Sequence, residues 1–380
     1  MDFNFNNKEL LFLQMIREFV EKEVRPLAAE IDENERFPLE TVQKMGKIGL
    51  MGIAAPLAYG GAGGSQLMYV LAVEELSKAC ATTGVMMSVH SSLCVDPILA
   101  YGTEEQKRKY LPKLCSGEWL GAFALTEPNA GSDALGLQTI AVADGEDYVL
   151  NGSKFFITNA GQARVYIVMA MTDKAMGTRG ISAFIVEAGT PGFSIGKKEK
   201  KLGIRGSSTC ELIFENCRIP KSQLLGRQGK GFALAIKTLD GGRIGIAAQA
   251  LGIAQGAMDA TVKYTQERKQ FGRSIASFQN TQFQMADLET KVQAARMLVY
   301  SAACKKDEGQ PYAVEAAMAK LFAAETAMEV TTKAVQFHGG YGYTRDYPVE
   351  RMLRDAKITE IYEGSSEVQR MVISANLFKK

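Results

Sequence analysis

The pattern of apolar residues and prolines changes twice along this chain, and these changes most strongly limit what it can fold into. Before about residue 120, apolar residues recur every three to four positions, as at Leu10, Leu13 and Ile16, which predicts helices. Between about 120 and 225, short runs rich in β-branched and aromatic residues alternate with glycine-containing turns, a pattern typical of strands. After Pro220 no proline occurs until Pro311, and alanine-rich stretches indicate long helices packed as a bundle.

These changes predict an α+β multidomain fold. We expect an N-terminal helical domain (1–119), a middle antiparallel β domain (120–225) and a C-terminal four-helix-bundle-like domain (226–380). The length of 380 residues suits two or three domains. In the middle domain, Asn151-Gly152 predicts a hairpin turn that leads into the strand containing FFIT at 155–158.

Composition and charge argue against several classes of function. The 44 basic and 42 acidic residues nearly balance, so no nucleic-acid partner is expected. No apolar run reaches the roughly 18 residues of a membrane span, and no signal peptide is evident. The six cysteines form no CxxC pair, which indicates reduced thiols and a cytoplasmic location. With only two histidines, His90 and His338, no metal site is expected.

Common catalytic and nucleotide-binding motifs are out of context or absent. Residues 192–196 match the G-x-S-x-G pattern of serine hydrolases, but they lie among short strands instead of between a strand and a helix. Neither glycine cluster, GGAGGS nor HGGYGYTRD, satisfies G-x-G-x-x-G, and no P-loop pattern occurs. A dinucleotide, if one binds, must therefore be held in another way.

Three further segments carry residues suited to a cofactor, but each has a structural alternative. The segment 124–133, ALTEPNAGSD, is either a backbone nest for an anion or a polar interdomain turn. Phe156 and Thr158 lie on one face of a predicted strand, where they either cover a flat ring or pack in the core. Arg268 and Phe271 suit phosphate and a stacked base, but they also suit a solvated helix end.

The end of the chain, IYEGSSEVQR at 361–370, poses the same question for a carboxylate. Ser366 and Gln369 predict a capping box at the start of a last helix. Glu363 is then either an ordinary acid ahead of the cap or a base that does chemistry.

Six segments in this order resemble those of the acyl-CoA dehydrogenases, specifically the bacterial short-chain, butyryl-CoA dehydrogenase-like branch. The resemblance covers essentially the whole chain. Its carriers are ALTEPNAGSD at 124–133, FFIT at 155–158, TLDGGR at 238–243, ERKQFGR at 267–273, QFHGGYGYTRDYPVERMLRD at 336–355 and IYEGSSEVQR at 361–370.

The resemblance implies that FAD lies between the middle and C-terminal domains and is shared across a dimer. The positions that match cofactor contacts of the same subunit are Leu125, Thr126, Ser132, Phe156, Ile157, Thr158, Ser365, Ser366 and Glu367. Those that match contacts to the neighbouring subunit's FAD are Arg268, Phe271, Gln279, Gln336, Gly339 and Gly340. Many relatives carry tryptophan at position 156, so Phe156 keeps the aromatic face but lacks the indole N–H. A homotetramer built as a dimer of dimers is implied.

The resemblance also implies the substrate site and the base. Ser132, Asp240, Arg243, Tyr362 and Gly364 match positions that bind the acyl-CoA. Some branches of the family place their base at the position of Gly242, where glycine cannot serve, which leaves Glu363 as the base.

The implied reaction is α,β-dehydrogenation of a short-chain acyl-CoA to a trans-2-enoyl-CoA, with electrons passed to an electron-transferring flavoprotein, or the reverse in fermentation. A branched short-chain dehydrogenase and an acyl-CoA oxidase remain alternatives, and a flavin-free scaffold is disfavoured. The chain length accepted depends on the 85–100 region and is not readable from the sequence.

Overall fold

The computed structural model describes residues 5–378, and the region from Asn7 to Cys115 is mainly helical, as predicted. Asn6 caps the first helix, since its side chain accepts from the N–H of Glu9 while the Glu9 carboxylate accepts from the N–H of Asn6. A π-helical stretch, Val89–Val95, follows the fifth helix and becomes important for the site. The helices are α1 (Asn7–Phe19), α2 (Ala28–Glu33), α3 (Leu39–Lys47), α4 (Gln66–Ala79), α5 (Ala81–Ser88), α6 (Asp96–Tyr101) and α7 (Glu104–Cys115).

The middle region forms an eight-stranded, mostly antiparallel sheet, which confirms the predicted β domain. The strands are β1 (Gly121–Ala124), β2 (Ile140–Asp144), β3 (Asp147–Thr158), β4 (Val165–Met171), β5 (Ile181–Glu187), β6 (Phe193–Lys198), β7 (Thr209–Pro220) and β8 (Leu224–Leu225). They lie in the order β6-β7-β3-β2-β4-β5-β8, and β1 adds to β4. Two pairings, β1 with β4 and β2 with β4, are parallel.

The predicted hairpin at Asn151-Gly152 is wrong. Both residues lie inside the continuous strand β3, and the turn into β3 falls at Gly145-Glu146 instead. Gly152 sits at a shift in register against β7, with φ +139. Glycine is needed at this bulge, because a Cβ would lie only 2.7 Å from the Cα of Thr139.

The C-terminal region is helical, as predicted, and three of its helices are long. They are α8 (Gly231–Glu267), α9 (Gln279–Asp307) and α10 (Ala313–His338), followed by α11 (Val349–Lys357) and α12 (Ser366–Leu377). A short hairpin of β9 (Lys269–Gln270) and β10 (Arg273–Ser274) links α8 to α9. Small residues line the buried face of α8, which lets α4 and α10 pack close to it.

One carboxylate ties the three regions together. Asp32 of α2 accepts from Arg205 in the sheet region at 3.0 Å and from Arg354 in α11 at 2.7 Å. Paired and largely buried, these charges favour one arrangement of the three regions. Among residues 5–378, no helix is both long enough and apolar enough to cross a bilayer.

Candidate active site

Glu363 lies directly against Gly242 of α8. A Cβ built on Gly242 would lie 2.1 Å from Oε2 of Glu363 and 2.8 Å from Cδ2 of Leu93. Contacts this short do not occur, so a side chain at position 242 and the carboxylate of Glu363 exclude one another. The two positions singled out from the sequence as alternative sites for a base are therefore one site in space, reached from α8 or from the loop before α12.

The carboxylate of Glu363 is buried and has no hydrogen-bond partner among the described residues. Burial raises the pKa of Glu363 to about 8, although the positive charges of Lys320 and Arg243 act to lower it. An uncompensated charge in such a place is costly, so the carboxyl group holds a proton more readily than an exposed one. A carboxylate whose pKa lies near neutral pH is suited to accept and return a proton.

The loop that carries Glu363 is strained and held by side chains from two helices. Glu363 has φ +53, a backbone region that a residue with a Cβ seldom adopts, and Gly364 follows with φ +92. Lys320 of α10 donates to the carbonyl oxygen of Gly364 at 2.8 Å. Gln369 of α12 donates to the same oxygen at 2.7 Å and to that of Glu363 at 3.3 Å.

The predicted capping box at the start of α12 is wrong. The cap is Ser365, whose side chain accepts from the N–H of Val368. The amide of Gln369 instead turns back to the Glu363 and Gly364 carbonyls, so it holds the loop and not the helix end. Ser366 is buried, and its hydroxyl has no partner among the described residues.

The same loop leaves a row of backbone donors free. The N–H groups of Glu363, Gly364 and Ser365 donate to no other backbone group in the described part of the chain. Because the carbonyls of Glu363 and Gly364 are drawn toward α10 and α12, the N–H groups of the same peptides, on Gly364 and Ser365, point the other way. Free consecutive N–H groups form an anion- or carbonyl-binding concavity.

Two further residues singled out from the sequence, Tyr362 and Arg243, lie near Glu363. Tyr362 donates its hydroxyl to Oε1 of Gln249, a fully buried residue of α8 that also donates to the carbonyl of Ala81 at 3.1 Å. Arg243, buried on α8, donates to Asp240 at 2.8 Å, and its Nε has no partner among the described residues. The charge of Arg243 acts on the Glu363 carboxylate, which places the Asp240–Arg243 pair of α8 near the loop that carries Tyr362, Glu363 and Gly364.

The predicted cofactor segments 124–133 and 155–158 lie side by side. Lys154 of β3 is fully buried and donates to the carbonyl of Leu125 at 3.1 Å and to Glu127 at 2.6 Å. Glu127 also accepts from the N–H groups of Gln138 and Thr139. The N–H of Phe155 donates to the carbonyl of Thr126 at 2.9 Å. A buried ion pair therefore fixes the polar loop against the aromatic strand end.

Phe156 leaves the sheet at a bulge. Its φ is +58, and the register against β7 shifts between Lys154 and Ile157. The ring is 62% exposed although it belongs to a sheet, which makes it a platform for a partner. Thr158 and Thr126 are half-buried and Ser132 is exposed, whereas the side chains of Ile157 and Leu125 point into the core.

Strand β1 links the polar loop to the surroundings of Glu363. Gly121 packs on the π-helical stretch, where a Cβ would lie 2.3 Å from Sγ of Cys94, and its N–H donates to Nδ1 of His90 at 3.0 Å. Leu93 of that stretch touches Gly242 on its other side. The polar loop, which follows β1, and Glu363, which lies against Gly242, are therefore both close to the π-helical stretch.

The other predicted cofactor residues lie at the far end of α8. Gly242 and Glu267 are separated by 25 helical residues, or roughly 38 Å at about 1.5 Å per residue. There the guanidinium of Arg268 lies 5.5 Å from the ring of Tyr341. This contact brings the β9–β10 hairpin next to the end of α10. The members of this group are exposed: Arg268, Phe271, Gln279, Gln336, Gly339 and Gly340. One dinucleotide in one subunit does not reach both ends.

Sequence reasoning missed four residues that hold the site: Lys154, Gln249, Lys320 and Gln369. Their common signal is a long polar side chain within an apolar or alanine-rich stretch. That signal indicates that the polar side chain is buried, but it does not identify the hydrogen-bond partner. Three of the four side chains donate to backbone carbonyls far away in sequence.

Family models match nearly the whole chain. They are the acyl-CoA dehydrogenase N-terminal domain over residues 6–118, the middle domain over 122–217 and the C-terminal domain over 229–378. The chain belongs to the acyl-CoA dehydrogenase family. Members of this family are FAD-dependent oxidoreductases.

Similar members of the acyl-CoA dehydrogenase family include a short-chain-specific acyl-CoA dehydrogenase of Clostridium acetobutylicum, 61% identical over all of both chains. The solved structure of butyryl-CoA dehydrogenase from Megasphaera elsdenii is 51% identical, with a TM-score of 0.98 and full coverage of both chains. A chain from a study of the electron transferring flavoprotein of Acidaminococcus fermentans is 56% identical, with a TM-score of 0.99 and the same coverage.

The residues present fit an FAD molecule. Phe156 offers an exposed ring beside the polar loop, and Ser366 offers a buried hydroxyl without a protein partner. At Gly339 and Gly340, a Cβ would meet nothing within 4 Å, so backbone is open to close approach. Flat rings, hydroxyl donors and bare backbone are what an isoalloxazine and a pyrophosphate require.

Proposed function

We propose that this protein catalyses α,β-dehydrogenation of a short-chain acyl-CoA such as butyryl-CoA to the trans-2-enoyl-CoA. The observation that carries the proposal is the buried, unpaired carboxylate of Glu363 in the space left by Gly242. Relatives named as short-chain-specific and butyryl-CoA dehydrogenases support the substrate class. The reaction runs in either direction according to the supply of electrons.

Glu363 is the proposed base. As a carboxylate, its Oε2 accepts the proton from the α-carbon of the thioester, and burial keeps the proton from exchanging with water. The free N–H groups of the Glu363 loop donate to the thioester carbonyl and stabilise the negative charge that develops there. When bound, FAD supplies the acceptor for the β-hydrogen, which leaves as a hydride.

The remaining substrate contacts follow from their places around the base. Arg243, with its Nε unpaired, and Asp240 are proposed to bind the acyl-CoA where α8 approaches Glu363. Tyr362 and Gly364 adjoin the base in the loop, and Ser132 belongs to the polar loop.

The proposed FAD site has two parts. In one subunit, Phe156 covers the ring system, and Thr126, Ser132, Thr158 and Ser366 supply hydroxyls; contacts from Leu125 and Ile157 are through backbone, because their side chains are buried. Ser365 and Glu367 complete this part. The six exposed residues serve the FAD of a neighbouring subunit, since they adjoin the end of α8 that lies about 38 Å along the helix from Gly242.

A short acyl chain is favoured by the packing one turn along α8 from the base. At Gly245 a Cβ would lie 2.3 Å from the hydroxyls of both Tyr69 and Ser88, which are 3.0 Å apart. Three residues of helix rise by about 4.5 Å. A chain extending from Glu363 along α8 therefore meets a polar pair after a short distance.

We also propose a dimer of dimers, a cytoplasmic location and an electron-transferring flavoprotein as acceptor. Phe271 and Tyr343 are 93% and 89% exposed at the far end of α8, which supports a subunit interface there. We further propose that the three domains span residues 1–119, 120–225 and 226–380. The described cysteines are all free thiols, five of them buried, in keeping with a reducing compartment.

The substrate class is tested with a series of acyl-CoA thioesters on the FAD-loaded enzyme. We expect kcat/KM to peak at the four-carbon chain and to fall at least about tenfold at eight carbons. A maximum at eight carbons, or at isobutyryl-CoA, contradicts the short straight-chain assignment. A purified protein that is colourless and cannot be reconstituted with FAD contradicts the reaction itself.

The acceptor is tested separately. With butyryl-CoA as donor, we expect rapid reduction of an electron-transferring flavoprotein and little peroxide in air. Stoichiometric peroxide at a comparable rate would identify an acyl-CoA oxidase instead.

A further inference from the structure

Lys320 is an unusual lysine, because it is fully buried on the face of α10 that packs against α8. Lysine is almost never fully buried unless it is paired. Here Nζ donates to the carbonyl of Gly364 at 2.8 Å, and no carboxylate of the described chain lies within ion-pair distance. Burial lowers the pKa of Lys320 to about 8, against the raising effect of Glu363. The ammonium is therefore held one residue from the base without a direct counter-ion.

Two cations face the Glu363 carboxylate, Lys320 from α10 and Arg243 from α8. Arg243 already pairs with Asp240 at 2.8 Å, which offsets most of its charge. Lys320 has no such pair. The tyrosines on this side, Tyr69 of α4 and Tyr362 of the loop itself, stay neutral, because burial raises the pKa of each above its usual range.

The other charges around Lys320 do not replace Glu363 as its partner. Glu360 and Glu367 act on Lys320 in the same direction as Glu363 but less strongly, and Arg243 acts against them. Glu367 is exposed, so water screens its charge. Lys320 and Glu363 are thus each other's main electrostatic neighbour inside the protein.

We propose that Lys320 is a positioning residue for the reaction: its ammonium group holds the Gly364 carbonyl and, as a buried positive charge, increases the fraction of Glu363 that is ionised and able to abstract a proton. This assignment rests on the proposed function, since it takes Glu363 to be the base. The hydrogen bond fixes the peptide that follows Glu363, and Gln369 holds the same oxygen from the other side. The charge acts through space on the carboxylate and does not touch the substrate.

The test separates the charge from the hydrogen bond in FAD-loaded, full-length variants. Lys320→Gln keeps an N–H donor but removes the charge, and Lys320→Met removes both. Gln369→Leu removes the other donor to Gly364 without changing any charge. Lys333→Gln is the matched control, because Lys333 lies on the same helix about 20 Å away and bonds to Gln284.

Two readouts are followed against pH: kcat/KM with butyryl-CoA, and the infrared carbonyl band of the protonated carboxyl, assigned by its loss in Glu363→Gln. For Lys320→Gln and Lys320→Met we expect both midpoints to move up by at least one pH unit, so kcat/KM at pH 7 falls about tenfold or more and recovers at high pH. Gln369→Leu should lower kcat with unchanged midpoints, and Lys333→Gln should change neither quantity.

Unchanged midpoints in Lys320→Gln overturn the proposal, whatever happens to the rate. If Lys320→Met does not fold, Lys320→Gln still decides the point, because it removes the charge and keeps an N–H donor. An infrared midpoint that moves while Glu363→Gln keeps its activity would leave the coupling intact and remove the proposed role of Glu363. A failure of the inference is thereby distinguished from a failure of the proposed function.

Discussion

The carboxylate of Glu363 occupies the space into which a side chain at position 242 would project, with a hypothetical Cβ only 2.1 Å from Oε2. Two remote stretches of sequence, TLDGGR and IYEGSS, therefore compete for a single position beside the substrate. In its observed conformation, the carboxylate of Glu363 fits only because the helix offers bare backbone at position 242.

Adding one methyl group at this point should disable the enzyme. Gly242→Ala forces the Glu363 carboxylate to move, and a displacement of about 1 Å in an active site costs on the order of a hundredfold in rate. Gly241→Ala is the matched control, since its Cβ would lie 3.1 Å from the flexible end of Lys306 and 3.9 Å from the hydroxyl of Tyr312, and it would not approach Glu363. Steady-state kinetics of both variants with butyryl-CoA provide the comparison. Equal rates in the two would show that Gly242 does not set the place of the base.

The rate should depend on pH through Glu363. Its pKa is raised to about 8, and only the ionised form accepts a proton. Below pH 8, kcat/KM should therefore rise about tenfold per pH unit, and it should level off above that pH. A profile measured between pH 6 and 9.5 on the FAD-loaded enzyme checks this sign. A rate that is already constant at pH 6 would mean that an ordinary carboxylate, or another group, removes the proton.

The buried pair under the polar loop should be essential to stability. Lys154→Met leaves Glu127 charged and buried without its partner, and we expect a loss of about 3–5 kcal/mol in the free energy of unfolding. Glu127→Gln should have a similar effect, whereas the double variant should lose less than the sum. Thermal or denaturant unfolding of the four proteins measures the coupling. Additive losses would show that the two side chains stabilise the loop independently.

The exposed ring of Phe271 should serve assembly and not the fold of one subunit. Burying a phenylalanine contributes about 1.5–3 kcal/mol, so Phe271→Ala should weaken association roughly ten- to a hundredfold and loosen FAD with it. Sedimentation equilibrium and flavin release are the measurements. The control is Leu57→Ala, because Leu57 is also an apolar residue at the surface, with 77% of its area exposed. Unchanged association in Phe271→Ala would place the interface elsewhere.

The order of helices, strands and helices was predictable because it depends on local periodicity, which the sequence carries directly. Two local predictions failed where long-range contacts decide the outcome. The Asn151-Gly152 turn became a bulge because β3 continues along β7, and the Gln369 cap was lost because its amide reaches the loop carbonyls. Tertiary context overrides a two- or four-residue signal in both places.

The assignment of Glu363 as the base came only through resemblance, together with the absence of a side chain at Gly242. The residues that hold the Glu363 loop and the polar loop were not predictable. Lys320 and Lys154 donate to carbonyls 44 and 29 positions away, and nothing in a single sequence specifies such a contact. Gln249 reaches across 113 positions to Tyr362.

The most direct test of the account is Glu363→Gln, which keeps the size and the loop geometry of Glu363 but removes the ability to accept a proton. The purified variant should retain a full complement of FAD, and its turnover of butyryl-CoA should fall by about 10²- to 10⁴-fold. Near-normal turnover in a flavin-loaded Glu363→Gln enzyme would contradict the assignment of Glu363 as the base.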